Sequence, residues 1–381
     1  MTKNFLPEQY DETNKLSINH NYLTEQFSDR NEILAKIAKV VERGDFTLGR
    51  AVDEFEKNFA QVVGADEAIG VGSGTDALML SLKVLGIGKN DEVLVPTLTF
   101  YATIGAIVTA GATPVFIDSG NDFNIDADAL ELAITPNTKA IVPVHWSGKP
   151  CNMDVIEAVA KKYNLFIVED ACHAITATYK GRPAGTYGDL GCFSLHPLKN
   201  LNVWGDGGLI VTNNTDLAKK LRLMRNHGLL GRDTCEMFAY NSRLDTIQAV
   251  VADHLLYKIA YICNSRIENS LYLDEHLKDI KGVTIPQRDY NSVRQVFHIY
   301  PLLYQDRDNL QKFLISKGID AKIHYPIPMH LQPAAKKYGY KVGDFPKAEA
   351  LVKSTLSLPV HEFVSKPQLE EMVDAIKEFY N

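Results

Sequence analysis

The chain has 381 residues, of which 45% are hydrophobic and 23% are charged, as in a globular protein with two domains or one large domain and an appendage. A formal net charge of −7, with Lys and Arg scattered along the chain, argues against nucleic acid as the main partner. The five cysteines are dispersed and form no CxxC pair, so we expect neither a disulfide framework nor a metal site.

Residues 1–28 are polar with weak periodicity and are predicted to form an N-terminal arm. They lack the apolar core of a signal peptide, and no apolar run in the chain approaches the roughly 20 residues that span a bilayer. We therefore expect a soluble, cytoplasmic protein with no membrane partner. A helix is predicted to begin at Asp29, which can cap it, and to end at Gly44. A second amphipathic helix follows, with apolar residues at helical spacing: Val52, Phe55 and Phe59.

From about residue 68, short runs rich in β-branched residues alternate with helical stretches. The predicted strands are residues 92–95, 113–117, 140–144, 165–168, 192–195 and 209–212. The predicted helices between them are residues 75–85, 101–110, 126–134 and 153–163. Several strands lack polar alternation, as expected when helices cover both faces of a parallel sheet. The pattern predicts an α/β fold with a mostly parallel central sheet, in which ligands bind at the carboxyl ends of the strands.

The character of the sequence changes after Asn241. We predict one long helix over residues 242–261, a strand over residues 297–303 and a closing amphipathic helix over residues 368–380. The chain is therefore divided into three parts: an arm at residues 1–28, a large domain at residues 29–255 and a smaller C-terminal α+β domain at residues 256–381.

A glycine-rich segment, GVGSGTDAL at residues 70–78, precedes a predicted helix. Its backbone N–H groups and the helix N-terminus can hold a phosphate. Thr75 takes the place of the third glycine of a dinucleotide fingerprint, which disfavours a dinucleotide site. A tight turn without a ligand explains such a segment about as often when it is taken alone.

An apolar run at residues 166–168 leads to Asp170, which the pattern places at the ligand-binding edge of the sheet. A carboxylate there can keep a pyridinium nitrogen protonated, because an opposite charge nearby favours the charged form. A protonated ring is the electron sink of pyridoxal phosphate. Taken alone, an aspartate that caps a helix is the more frequent explanation. His173 can face the same site or only fill the core.

Lys199 follows a predicted strand and the turn at Pro197, and it precedes the glycine-rich turn GDGG at residues 205–208. A lysine held at a strand end with its amine in a cleft suits a Schiff base, provided that burial or neighbouring cations lower its pKa. A solvated loop lysine is the more common case. Further along, Asn241 or Arg243 can donate to a phosphate or only cap the predicted long helix.

The order and spacing of these segments resemble the DegT/DnrJ/EryC1/StrS family of sugar aminotransferases, which have fold type I and use pyridoxal phosphate. The resemblance runs from about Val41 to the C-terminus. It rests on the motifs GVGSGTDAL, PTLTFYATIGAIVTAGATPVFID, IVPVHWSGKPCNMD, IVEDACHA, FSLHPLKN with GDGG, RNHG, YNSRLD, HYPIPMH and GDFPKAE.

The resemblance implies roles for residues around the cofactor ring. Lys199 would hold pyridoxal phosphate as a Schiff base and would move the proton during catalysis. Asp170 would pair with the pyridine nitrogen. His173 would lie near the 3-hydroxyl group, and Phe100 would stack on the ring.

The resemblance also implies how the cofactor phosphate and the sugar are held. The backbone at Gly74 and Thr75 and the hydroxyl of Ser194 would bind the phosphate. Asn241 would reach the phosphate of a neighbouring subunit, which implies a homodimer with shared active sites. The sugar pocket would be lined by two further residues, Tyr325 and His330.

Three residues depart from the family pattern. His173 stands where many relatives have glutamine, Trp146 where a tyrosine is frequent, and Asp206 where a glutamate is common. These changes are conservative for cofactor binding and leave the identity of the substrate open.

The resemblance implies transamination from glutamate, or less commonly glutamine, to a keto-sugar, with a nucleotide-linked 3-keto- or 4-keto-6-deoxysugar as the expected acceptor. A dehydrating branch of the family has histidine at the Schiff-base position, where this chain has Lys199. The alternatives are another pyridoxal-phosphate reaction on the same fold, a cyclitol or other ketone as acceptor, and a regulator without catalysis. The aminated carbon and the carrier stay open, and the GDGG turn favours C3 only by family habit.

Overall fold

The structure is a computed structural model that describes residues 16–381, so the first fifteen residues of the predicted arm lie outside it. The helices are α1 Leu23–Gln26, α2 Arg30–Arg43, α3 Arg50–Val63, α4 Gly74–Val84, α5 Tyr101–Ala110, α6 Met153–Tyr163, α7 Thr215–Met224, α8 Thr246–Leu256, α9 Ile259–Leu277, α10 Arg307–Ser316, α11 Pro346–Ser354 and α12 Lys366–Tyr380. The strands are β1 Glu67–Val71, β2 Glu92–Pro96, β3 Thr113–Ile117, β4 Thr138–Ile141, β5 Phe166–Asp170, β6 Thr178–Tyr179, β7 Arg182–Pro183, β8 Leu190–Ser194, β9 Gly208–Thr212, β10 Val283–Thr284, β11 Val293–Arg294, β12 Tyr300–Tyr304 and β13 Thr355–Leu358. None of these helices has the length and apolarity needed to cross a membrane.

A seven-stranded central sheet is formed within the described residues, in the order β1-β9-β8-β5-β4-β2-β3. Strands β3, β2, β4, β5 and β8 run parallel, whereas β9 is antiparallel to both of its neighbours. The direct connection between β8 and β9 carries Lys199. The predicted α/β fold with a mostly parallel sheet is confirmed.

Helices cover both faces of this sheet, and β2 shows why its residues are almost all apolar. Val93 and Val95 point into the core packed by α4, α5 and α7, whereas Leu94 points into the core packed by α6. Side chains alternate between the faces of a strand, so a strand covered on both faces needs apolar residues at every position.

A second core lies around the three-stranded sheet β10-β12-β13, with α10 and α12 packed against it. Within the described part of the N-terminal segment, residues 16–28, Ile18 packs on this core, whereas Phe27 packs in the core that α3 and α8 share. Ile18 is 1% exposed, pairs with Ile319 in an isolated bridge and donates its N–H to the carbonyl of Gly318 at 3.0 Å. The division into domains at residue 256 stays a prediction, and α11 packs on the core of the large sheet.

The predicted single helix over residues 242–261 is wrong. Residues 242–245 are non-helical, and two helices follow, α8 and α9. Tertiary hydrogen bonds hold Ser242 outside the helix, since its N–H donates to the carbonyl of Arg225 and its hydroxyl donates to Asp76 at 2.8 Å. Asp245 is extended, with ψ of 137°, and this residue marks the true start of α8.

Two other local predictions need correction. Residues 126–134 form two short 3-10 turns and no α-helix, because Ile134 is already extended and leads into the segment before Pro136. Asp29 precedes α2 as predicted, but its side chain makes no cap hydrogen bond. Its carboxylate binds His254 and Lys258 instead, which fastens α2 to the α8–α9 junction.

Candidate active site

Three segments with reactive side chains meet at one edge of the central sheet. Asp170 is the last residue of β5, Gly74 begins α4 directly after β1, and Lys199 lies in the connection after β8. These three strands point the same way, so their carboxyl ends and the loops after them share that edge. The backbone N–H of Lys199 donates to the carbonyl of His196 at 2.8 Å, which fixes a tight turn at the lysine.

Asp170 is 5% exposed and its carboxylate is oriented by two donors. The hydroxyl of Thr103 donates to Oδ2 at 2.7 Å, and the backbone N–H of Cys172 donates to Oδ1 at 3.2 Å. Thr103 lies in the first turn of α5 and was missed by the sequence analysis. Its hydroxyl also lies 2.8 Å from that of Thr99. Two threonines four residues apart were the one feature of the sequence that could have pointed to Thr103.

Lys199 lies beside a small cavity at the same edge. The cavity is lined by residues that include Cys172, His173, Ser194 and Asn200. Burial lowers the pKa of the Lys199 amine, while the negative charge of Asp170 opposes the shift. A lowered pKa increases the fraction of neutral amine, which is the nucleophilic form.

Histidines that are neutral near pH 7 form one side of the site. The rings of His173 and His298 lie 4.3 Å apart, between centroids. Burial, with a smaller contribution from the charge of Lys199, holds the pKa of His173 well below its usual value, and burial does the same for the pKa of His298. Among the described residues, Nδ1 of each ring is buried without a hydrogen-bond partner. His298 was not singled out from the sequence, where it follows an apolar run.

The N-terminus of α4 forms a cradle with Ser194. Ser73 caps the helix by accepting the N–H of Asp76 at 3.1 Å, which leaves the earlier N–H groups of Gly74 and Thr75 without intrahelical partners. A Cβ on Gly74 would lie 2.7 Å from Cβ of Ser194, so glycine is required for this close approach. Such a helix N-terminus attracts an anionic group.

Aromatic side chains border the site on the side of α5. Phe100, the residue before α5, lies 5.7 Å from the ring of Tyr325, and Tyr101 lies 6.5 Å from the same ring. Phe100 is 47% exposed, so its face is accessible to a ligand. The structure therefore places Phe100, which is predicted to stack on the cofactor ring, close to Tyr325, which is predicted to line the sugar pocket.

His330, predicted to line the sugar pocket, lies in a buried network. It is 1% exposed, its Nδ1 is 2.7 Å from the hydroxyl of Thr97, and its Nε2 is 3.2 Å from Oε1 of Glu349. Both ring nitrogens are thus engaged within the protein. This geometry gives no support to a contact between His330 and the sugar. Instead, His330 stabilises the segment that leads from Thr97 to Phe100.

Asn241 is exposed and lies on the loop before α8, paired through an isolated bridge with Asn226. It is not among the residues that line the cavity beside Lys199. Its predicted contact with the phosphate of a second subunit stays a prediction.

The described residues fit a pyridoxal phosphate. The cradle at Gly74 suits its phosphate, the oriented carboxylate of Asp170 suits a protonated ring nitrogen, and the buried Nδ1 of His173 lacks a partner that a ring oxygen would supply. The amine of Lys199 completes the set. All four lie at the edge of the sheet where such a ligand binds.

Comparison with known proteins agrees with this geometry. A solved structure of DesV from Streptomyces venezuelae, in complex with a ketimine intermediate, superposes with a TM-score of 0.93 at 37% identity, over 96% of this chain and 98% of that one. The putative sugar aminotransferase Spr1654 from Streptococcus pneumoniae in its PLP form superposes with a TM-score of 0.85 at 27% identity, over 91% and 95% of the two chains.

The sequence comparisons agree with the structural ones. A dTDP-3-amino-3,4,6-trideoxy-alpha-D-glucose transaminase from Streptomyces venezuelae is 38% identical over 358 residues, which cover 92% of each chain. The DegT/DnrJ/EryC1/StrS aminotransferase family profile matches residues 28–377. The chain belongs to the DegT/DnrJ/EryC1/StrS aminotransferase family.

Proposed function

We propose that the protein uses pyridoxal phosphate to transfer the amino group of glutamate to C3 of a nucleotide-linked 3-keto-sugar. The observation that carries this proposal is the placement of the Lys199 amine, with its lowered pKa, at the same sheet edge as the carboxylate of Asp170. When bound, pyridoxal phosphate supplies an electron sink for negative charge at the reacting carbon.

Lys199 serves as the proton carrier. Its turn holds the backbone, and burial favours the neutral amine, which can accept a proton and return it. General acid–base help of this kind is worth about 10²–10⁴-fold in rate. Asp170, oriented by Thr103, keeps the facing ring nitrogen charged.

The other residues bind and orient. The N–H groups at Gly74 and Thr75, with the hydroxyl of Ser194, hold the phosphate. His173 is neutral, because its pKa is lowered, and it offers a ring nitrogen to the 3-oxygen. The exposed ring of Phe100 would pack against the cofactor ring.

The acceptor is proposed from the relatives. The DesV structure carries a ketimine, and the similar transaminase acts, by its name, on a dTDP-linked 3-amino sugar. These names support amination at C3. The GDGG turn favours the same position, but only by analogy with the family. Tyr325, beside Phe100, is the residue proposed to border the sugar. A homodimer in which Asn241 completes the partner's phosphate site, and a cytoplasmic location, belong to the same proposal.

A desulfurase is the weaker candidate, because it needs a reactive thiol on a mobile loop near the site. Cys172 does lie near Lys199, but burial and the charge of Asp170 raise its pKa well above the usual value. It lies two residues after the end of β5 and its N–H is bonded to Asp170, so it sits on a fixed turn. Cys192 is buried in β8.

The test is a panel of acceptors. Purified protein would be incubated with glutamate and with dTDP- or UDP-linked 3-keto- and 4-keto-sugars, and the products identified by mass and NMR. We expect 2-oxoglutarate and a 3-amino sugar in equal amounts, and none with Lys199→Ala. Amination only at C4, or only of a cyclitol ketone, would overturn the proposed acceptor, and no amination of any ketone would overturn the reaction.

A further inference from the structure

A buried asparagine holds the backbone at Lys199. Asn202 is fully buried, and its Nδ2 donates to the carbonyl oxygen of Lys199 at 2.9 Å and to Oε1 of Gln26 at 2.7 Å. Both acceptors require an N–H donor, so the two bonds together determine which way the amide faces. The turn that carries Lys199 is therefore braced by a side chain whose orientation depends on Gln26.

Gln26 continues the chain of bonds to the C-terminal part of the protein. It is 5% exposed, at the end of α1, and its Nε2 donates to Oε1 of Glu362 at 3.3 Å. The side chain of Glu362 is itself buried, with Oε2 3.8 Å from Nε of Arg266. The N-terminal segment thus links the Lys199 turn to a buried ion pair.

Arg266 carries the network to the opposite side of the site. It is 3% exposed and donates to the carbonyl oxygens of residues 297 and 298, at 3.3 and 3.5 Å, and to the hydroxyl of Tyr22. His298 in turn packs on His173. A contiguous set of polar groups therefore runs from Lys199 to His173, and the N-terminal segment supplies two of its members, Tyr22 and Gln26.

We propose that Gln26, acting through Asn202, is a positioning residue for Lys199. The proposal rests on the proposed function, since it assigns Gln26 to the reaction that Lys199 performs. It also gives the N-terminal segment a role beyond the packing of the second core, because residues 16–28 then belong to the scaffold of the active site.

The physical reason is the length of the lysine side chain. Four rotatable bonds separate its amine from the backbone, so a stable position of the amine needs a fixed backbone as well as a fixed side chain. A misplacement of about 1 Å can cost about 10²-fold in rate. Loss of the brace would also admit water to the turn, and a better solvated amine has a higher pKa.

The first measurement uses cofactor-free protein and reports on Lys199 directly. The rate of reductive methylation of its amine would be followed against pH by peptide mass spectrometry, in the wild type and in Gln26→Met and Asn202→Ala. Methionine keeps most of the volume of glutamine without its hydrogen bonds. We expect the labelling profile to move to higher pH in both variants.

The matched control is Asn58→Ala. The amide of Asn58 donates to Oδ1 of Asp253 at 2.8 Å and joins α3 to α8, outside the network around Lys199. It should lower the melting temperature without moving the labelling profile. A profile that moves equally in the control would overturn the proposal, because the shift would then reflect general loosening.

The second measurement is kinetic and uses the holoenzyme. We expect kcat to fall about 10-fold in Gln26→Met and in Asn202→Ala, with the KM for the acceptor within about twofold, because substrate contacts remain. The double variant should be no slower than the slower single variant, since both residues act through one brace. Unchanged kcat and an unchanged profile, or losses that simply add, would overturn the proposal.

The two proposals fail in different ways. If the wild-type protein aminates no ketone, the proposed function fails while the labelling of cofactor-free protein still decides whether Gln26 governs the Lys199 environment. If the wild type aminates sugars and the variants behave like Asn58→Ala, only the inference about Gln26 fails.

Discussion

The hydroxyl of Thr103 donates a 2.7 Å hydrogen bond to Oδ2 of Asp170, from the first turn of the helix that follows Phe100. A bond to an ionised carboxylate is charge-assisted and stronger than a neutral one. It fixes the carboxylate from the side of α5, while the backbone N–H of Cys172 fixes the other oxygen.

Thr103→Val should therefore loosen Asp170 without removing it. Loss of one hydrogen bond to a charged group costs about 1.5–3 kcal/mol, so we expect cofactor affinity and kcat together to fall by about 10- to 100-fold. Thr103→Ser, which keeps the hydroxyl, should restore most of the loss. Titration of cofactor-free protein with pyridoxal phosphate measures the affinity, and equal affinities for the three proteins would contradict this role.

Gly74→Ala should disrupt the cradle, because its Cβ would lie 2.7 Å from Cβ of Ser194. Overpacking of this kind costs about 1–3 kcal/mol, and here the displaced atoms are those that face the phosphate. We expect pyridoxal phosphate to bind at least about 10-fold more weakly. Gly105→Ala is the control, since nothing lies within 4 Å of its added Cβ and alanine favours the α5 helix. Equal affinities in the two variants would contradict the cradle.

Stability should fall with acid because His173 is held neutral. Its folded-state pKa is depressed, so as the pH drops below the ordinary histidine value of about 6.5 the unfolded chain takes up a proton that the folded protein does not. The free energy of unfolding then falls by up to about 1.4 kcal/mol per pH unit for this residue. Urea unfolding between pH 7 and 5 should give a smaller slope for His173→Gln and an unchanged slope for the exposed control His276→Gln. If the free energy of unfolding depended on pH equally in all three proteins, His173 would have to be protonated in the folded state as readily as in the unfolded chain.

His330→Ala should act through stability and the Phe100 segment. It removes the ring that binds the buried hydroxyl of Thr97, while the carboxylate of Glu349 keeps the N–H groups of Gly343 and Phe345, and the lost bonds cost about 1–3 kcal/mol. Thr97→Val, which removes the other end of the bond, should destabilise the protein similarly, and the double variant should cost less than the sum. A His330→Ala protein that keeps its melting temperature but has a raised KM for the sugar would instead support a contact between His330 and substrate.

Local sequence patterns predict much of the observed fold. Helices α5 and α6 match the predicted bounds, because apolar spacing and the αL residues Gly111 and Asn164 define their ends. The helix expected at residues 242–261 failed because its start is set by bonds from Ser242 to Arg225 and Asp76, which are distant in sequence. No local signal contains such contacts.

The residues of the site also fall into two groups, those that the sequence identifies and those that only the fold reveals. Lys199, Asp170 and Gly74 stand in motifs and could be named from the sequence. Thr103, His298 and the Gln26–Asn202 brace could not, because their importance comes from which residue they touch across the fold. His330 stands in a motif too, but its environment is decided by Thr97 and Glu349, far away in the chain.

The most direct test of the proposed chemistry asks what the Nζ atom of Lys199 is bonded to in the resting holoenzyme. The purified yellow protein would be reduced with borohydride, digested and mapped by mass spectrometry. We predict a pyridoxyl group on the peptide that contains Lys199 and on no other lysine peptide. A folded, cofactor-loaded protein whose Lys199 peptide stays unmodified after reduction would contradict the role of Lys199.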